Sequence, residues 1–147
     1  MFLGKRVGAV IIAYNAERTL EATINEMPME IVDYVIVCDD ASTDNTRKIA
    51  LSLGVDTFSH EENRGAGANT IQGFDVMLGR SDIDIVVLLH GDNQYDPSKI
   101  QEMITPIVQG RCDMVLGNRV NWNRGGMPTY KQFGNWLLTG MQNLIFV

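Results

Sequence analysis

The sequence predicts an α/β fold: a Rossmann-like, mainly parallel sheet with helices on both faces, formed by residues 1–147 as a single domain. Three observations carry that expectation. Five apolar, β-branched runs recur at 7–13, 34–38, 55–59, 83–89 and 114–117, and their continuous apolarity suits strands buried on both faces. Segments with helical spacing separate them, which favours right-handed crossovers and parallel pairing. Every polar, loop-forming cluster falls where a strand run ends, on the one edge where such sheets collect ligands.

Taken in order, the first strand runs out into "AYNAE", and Leu20, Ile24 and Met27 then recur at helical spacing. The second strand gives way to "CDDASTDNT", in which Thr43 or Asp44 is placed to cap a helix carrying Ile49, Ala50 and Leu53. After the third strand comes "HEENRGAGANT", and Ala68, Ile71, Phe74 and Leu78 mark the apolar stripe of the next helix. "HGDNQYDP" closes the fourth strand, with Asp96 as N-cap and Pro97 in the first turn, where a missing N–H costs nothing. Ile100, Met103, Ile104 and Ile107 line the fourth helix, which Pro106 is expected to kink or tighten. Beyond the fifth strand and "GNR", the run "VNWNRGGMPTY" reads as loop and "WLLTGMQNLIFV" as a helix cut short.

Charge and composition exclude several function classes. Twelve Lys plus Arg against eighteen Asp plus Glu leave a net charge of −6, which argues against a nonspecific nucleic-acid surface. The two cysteines, Cys38 and Cys112, both lie in strand-like runs and suit reduced core thiols in a cytoplasmic compartment. No stretch reaches the ~20 apolar residues of a membrane span, and no signal-peptide core begins the chain, so a soluble domain is expected.

Any one of these strand-end clusters is explained by turn chemistry, since Asp, Asn, Gly and Ser make Asx turns and caps in every α/β protein. Five on one edge ask for more. Asp39 and Asp40 together exceed what a turn requires, so one is expected to accept N–H groups from a ligand, while a purely structural Asp39 fits the pair equally well. Gly65 and Gly67 let backbone approach a ligand at a helix start, but the third glycine of a dinucleotide fingerprint is missing and no Walker-type Gly-Lys pair occurs. Asp92 and Gln94 offer hard oxygen ligands of the kind that bind Mg²⁺ or Mn²⁺ with substrate phosphates. His60 and His90 have no cysteine or second histidine near enough for a zinc site.

"VIIAYNAERTL", "VCDDASTDNT", "NRGAGANTIQGF", "LLHGDNQYDP" and "VLGNR" resemble, in order and spacing, the motifs of family 2 glycosyltransferases of the GT-A fold, in particular the polyprenyl-phosphate (dolichol-phosphate mannose synthase-like) branch. The resemblance runs from Val7 to about Asn143. It implies transfer of a hexose from a nucleotide-diphospho-sugar of the GDP-mannose or UDP-glucose type, with inversion and with a divalent cation bridging the diphosphate. It places Ala13, Tyr14, Glu17, Cys38 and Asp40 around base and ribose, with Gly65 in the glycine-rich turn. Ala16 shifts Glu17 by one from the common "YNE" form. His90, Gly91 and Asp92 fall on the D-x-D positions, Gln94 on the second metal-ligand position, and Arg119 near the donor's phosphates. Asp92 and Arg119 are thereby the candidate catalytic residues, Asp92 and Gln94 the candidate metal ligands. The departure is His90, which stands where the family usually has Asp and takes a negative charge away from the metal.

The implied acceptor is a lipid phosphate, met peripherally at the cytoplasmic membrane face by an acceptor region that this chain holds only in part. Trp136, Leu137, Leu144 and Phe146 suit an interfacial helix or one packed on the sheet, with Arg124 and Lys131 meeting anionic groups. Exposed apolar surface there would also favour a homo-oligomer. Two other functions stay open on the residues alone: a nucleotidyltransferase, for which "AYNAERTL" lacks the basic Gly-rich loop, and a non-catalytic nucleotide-sugar-binding module.

Overall fold

The computed structural model describes residues 1–117 and Trp136. The chain divides into two compact units, Met1–Val115 and Leu116–Val147. In the first, strands β1 (Val7–Ala13), β2 (Tyr34–Asp39), β3 (Asp56–Ser59) and β4 (Ile85–His90) alternate with helices α1 (Leu20–Asn25), α2 (Thr46–Ser52), α3 (Gly65–Leu78) and α4 (Ile100–Val108). They form one sheet in the order β3-β2-β1-β4. All three pairings are parallel. This is the parallel, Rossmann-like α/β sheet with helices on both faces that the sequence predicts.

Buried at all seven positions, β1 lies at the centre of the sheet. Ala9, Ile11 and Ala13 face a core completed by Leu20, Ile24, Ala50, Ile100 and Ile104, so α1, α2 and α4 supply one layer. Val10 and Ile12 face the other way, against Ile36, Cys38 and Met77, beneath α3. Covering β1 on both faces is what its continuous apolarity demands.

The helix expectations hold in position but not always in orientation. The stripe predicted for α3 is not its buried side: Ile71 and Leu78 are 63% and 78% exposed, whereas Asn69, Gly73 and Met77 face the sheet. Close approach decides this. A Cβ on Gly73 would stand 2.3 Å from Val10 Cγ1, so the helix can lie this near β1 only through a residue without a side chain. Asp96 caps as predicted, accepting from Ser98 N at 3.0 Å at the start of a 3-10 turn, Pro97–Lys99. Pro106 lies inside α4, which runs on to Val108 and closes with Gly110 at φ +67° and the pair Gly110 N to Ile107 O and Arg111 N to Pro106 O.

Two strand expectations are corrected. Residues 114–117 form no strand, and Cys112, expected in a strand, lies outside one. Met114 and Leu116 are exposed, so ordering this short run would cost backbone entropy without burial in return. Along β4 burial alternates, with Ile85, Val87 and Leu89 inside and Leu88 partly exposed, because α3 packs mainly on β1 and β2. Arg119, Arg124, Lys131, Leu137, Leu144 and Phe146 lie outside the described residues.

Candidate functional site

The carboxyl ends of β1, β2 and β4 and the start of α3 enclose a cleft of about 420 Å³, lined by Ile12, Ala13, Tyr14, Ala16, Asp40, Asn63, Gly65, Ala66, Asn69, His90, Gly91 and Asp92. Seven predicted residues meet there: Ala13, Tyr14, Asp40, Gly65, His90, Gly91 and Asp92. Glu17, Cys38 and Gln94 are not among its lining.

Adjacent in sequence, Asp39 and Asp40 turn to opposite tasks. Asp39 serves its own loop and the end of β3, accepting from Ser42 N at 3.4 Å and from Ser59 Oγ at 3.3 Å. Asp40, 2% exposed, reaches across to α3 and accepts from Arg64 N and Gly65 N, each at 2.8 Å and each through a different oxygen. Those two amides open α3, whose own N-cap Arg64 makes no side-chain cap, so the carboxylate of the residue just after β2 does the capping. Gly65, at φ +86°, occupies the left-handed conformation that suits glycine.

A lattice of side-chain bonds ties the β1–α1 turn to the start of α2. Asn15 N donates to Ser42 Oγ, and Asn15 Oδ1 accepts from Thr43 N, both at 2.9 Å. Asp44 serves the first helical amide, Thr46 N, at 2.9 Å and Glu17 N at 3.1 Å, so of the two predicted caps it is Asp44 that bonds the helix and Thr43 that bonds Asn15. Burial raises the Asp44 pKa, but donation from the Thr46 hydroxyl and from the Thr46 and Glu17 amides outweighs it and leaves the group below its ordinary value. Glu17 Oε2 accepts from Asn45 N at 3.1 Å and Asn45 Nδ2 at 3.0 Å, which turns this carboxylate toward α2.

Across the cleft, Gly91 N bonds Ile12 O at 2.9 Å, and Thr19 Oγ1 donates to Gly91 O at 2.6 Å. A Cβ at Gly91 would stand 3.2 Å from Ala13 Cβ and 3.4 Å from Leu20 Cδ1, so the turn passes closest to β1 where no side chain intervenes. His90 meets Tyr95 edge-on, with ring centroids 4.9 Å apart. Asp92 is exposed, and its Oδ1 accepts from Gln94 N at 3.0 Å around Asn93, which sits at φ +56°. Its Oδ2 carries no hydrogen bond among the described residues.

Among the described residues there is no group of three or more His, Cys, Asp or Glu side chains able to cage a metal. The donor set does fit an ion that takes most of its ligands from water and a diphosphate: a solvent-facing carboxylate, Asp92, with a second oxygen-bearing side chain, Gln94, two residues along the chain. Cys38 lies beneath the cleft with no exposed surface, and burial pushes its thiol up to about 11, so it stays protonated. What it offers upward is its carbonyl, which accepts from Asn69 Nδ2 at 2.7 Å.

Sequence reasoning gives no site role to Ile12, Ala16, Thr19, Asn63, Ala66 or Asn69. Asn63 and Asn69 fall within a segment singled out for its glycines, and nothing in the spacing distinguishes a cleft-facing Asn from a turn Asn.

Residues 9–144 match the family described as Glycosyl transferase family 2. The UDP-N-acetylglucosamine–dolichyl-phosphate N-acetylglucosaminyltransferase of Methanococcus voltae is 31% identical over 89% of this chain and 59% of its own length. The dodecaprenyl-phosphate galacturonate synthase of Rhizobium johnstonii is 27% identical over 79% of this chain and 36% of its own. Among solved structures, the glucosyl-3-phosphoglycerate synthase of Mycobacterium tuberculosis, crystallised with Mn²⁺, UDP-glucose and phosphoglyceric acid, superposes with a TM-score of 0.59 at 27% identity, over 73% of this chain and 40% of that one. The chain thus spans between about a third and three fifths of the length of these proteins. With five motifs in order along the sequence, a parallel sheet that gathers the first four of them at one edge, and a family match over residues 9–144, the chain belongs to glycosyl transferase family 2.

Proposed function

We propose that this chain is the donor-binding, catalytic domain of a metal-dependent glycosyltransferase that moves a sugar from a UDP-linked donor to a polyprenyl or dolichyl phosphate. The observation that carries the reading is the pairing, in one cleft, of a buried acceptor at Asp40 with an open carboxylate at Asp92. One end suits a base, the other a diphosphate with its cation. The relatives named for UDP-N-acetylglucosamine and for lipid phosphates support the donor and acceptor classes.

In this reading Tyr14, 51% exposed at the rim, gives aromatic surface to the base, and Ala13 and Gly65 let it approach backbone. His90, its ring edge-on to Tyr95, offers a hydrogen bond to ribose or sugar. Asp92 and Gln94 are the residues that would hold Mg²⁺ or Mn²⁺, which when bound supplies positive charge for the departing nucleoside diphosphate. Arg119 adds a phosphate contact of the bidentate kind. An oxygen of the acceptor phosphate attacks the anomeric carbon as its bond to the β-phosphate oxygen breaks, and because that acceptor is already anionic no general base is required. Inversion at the anomeric carbon follows from one such displacement. A lipid acceptor puts the reaction at the cytoplasmic membrane face, and no described helix is long and apolar enough to cross the membrane.

Calorimetric titration with UDP and GDP, with and without Mn²⁺, tests this. Metal-dependent binding is expected, and Asp92→Ala should weaken it at least tenfold without unfolding the chain. Metal-independent binding that Asp92→Ala leaves unchanged would remove the basis of the proposal. Product formation with a polyprenyl phosphate, as opposed to donor hydrolysis alone, separates the transferase from a binding module.

A further inference from the structure

We infer that Asn69 reads the nucleobase: its Oδ1 is the acceptor for the ring N–H that uracil and guanine carry and that cytosine and adenine lack. The inference rests on the donor reading above and adds a base-reading residue to it.

Asn69 lies on the inward side of α3 and is 2% exposed, yet it lines the cleft together with Asp40, Ala66 and Ile12. Its amide orientation follows from one bond. Nδ2 donates to Cys38 O at 2.7 Å, so the oxygen points elsewhere, and Oδ1 is buried with no donor among the described residues. Buried acceptors left unpaired are uncommon in folded proteins, and this one belongs to a side chain whose structural bond uses only its nitrogen.

The chemistry of the missing partner follows from the surroundings. It must be a donor. Asp40, which lines the same cleft, is acceptor-only when ionised, and no Lys or Arg side chain lines the cleft among the described residues. This corner therefore repels phosphate and attracts N–H groups, leaving the diphosphate to the Asp92 end. Uracil N3 and guanine N1 bear hydrogens. In the same pose cytosine N3 and adenine N1 would turn a bare lone pair toward Oδ1. Nothing lies within 4 Å of where a Cβ on Gly65 or Gly67 would stand, so the start of α3 leaves open space for a base beside Ala66.

The test pairs a change in the ligand with a change in the protein. In the presence of Mn²⁺, UDP, GDP, CDP, ADP and 3-methyluridine diphosphate are titrated calorimetrically into the unmodified chain and into Asn69→Leu. The unmodified chain should bind UDP or GDP at least tenfold more tightly than CDP and ADP, and UDP at least tenfold more tightly than its 3-methyl form. In Asn69→Leu the preference for UDP over 3-methyl-UDP should shrink at least threefold. Equal binding of UDP and 3-methyl-UDP by the unmodified chain overturns the inference but leaves the donor site standing, as does an undiminished preference in the variant. Failure of every nucleoside diphosphate to bind overturns both. Should Asn69→Leu not fold, a crystal structure with UDP decides: a base N–H within ~3.2 Å of Oδ1 supports the assignment, and a water there with the base elsewhere refutes it.

Discussion

Asp39 and Asp40 are equally buried neighbours, and their difference in role comes from which loop each can reach. Asp40 finds two free amides at a helix start, and Asp39 finds a Ser amide and a Ser hydroxyl at longer range. Asp44 shows the same economy nearer the surface and carries a prediction about pH. Its folded pKa lies below the ordinary 3.8, so the carboxylate contributes fully at neutral pH. That contribution fades as pH falls through the ordinary value toward the folded one. Asp44→Ala should cost about 1 kcal/mol at pH 7, the usual worth of a cap, and the gap between variant and parent should narrow in denaturation curves taken near pH 3.

At the scale of elements, the placement of α3 governs half of the cleft, because Gly65, Ala66 and Asn69 all ride on it. Gly73→Ala should lower stability by roughly 1–3 kcal/mol, since its Cβ would overlap Val10, and should weaken nucleotide binding as the helix shifts. Urea denaturation and UDP titration measure the two effects. Ile71→Gln, on the solvent side of the same helix, should stay within about 0.5 kcal/mol of the parent. The other half of the cleft hangs on the turn after β4, where Thr19 holds Gly91 O. Thr19→Val should weaken metal-dependent UDP binding several-fold, about 1 kcal/mol for one lost hydrogen bond, while metal-free UDP binding changes little.

For the molecule as a whole, a net charge of −6 means that an anionic donor is not drawn in by general electrostatics and must be met by local groups and a cation. Removing divalent ions with EDTA should therefore lower UDP affinity at least tenfold, and added Mn²⁺ should restore it in the same calorimeter cell. Much of this organisation was readable beforehand. The first strand was predicted at 7–13 and is Val7–Ala13, and the polar groups after β1, β2 and β4 were legible because each directly follows an apolar run. The side chains of Glu17 and Cys38 were not, since a motif position says nothing about whether a carboxylate turns toward a ligand or toward Asn45, or whether a thiol lies above or below the floor.

By itself the sequence determined the alternation of strands and helices and the edge of the sheet where chemistry collects, because apolar periodicity and turn residues act locally along the chain. Tertiary structure alone decided which side of α3 is buried, which of two adjacent carboxylates caps it, that 114–117 stays out of the sheet, and that Asn69 carries an oxygen with no partner among the described residues. Each of those outcomes depends on close approach or on hydrogen-bond partners between segments distant in sequence. Gly73 against Val10 and Asp40 against Arg64 are contacts that no local pattern encodes.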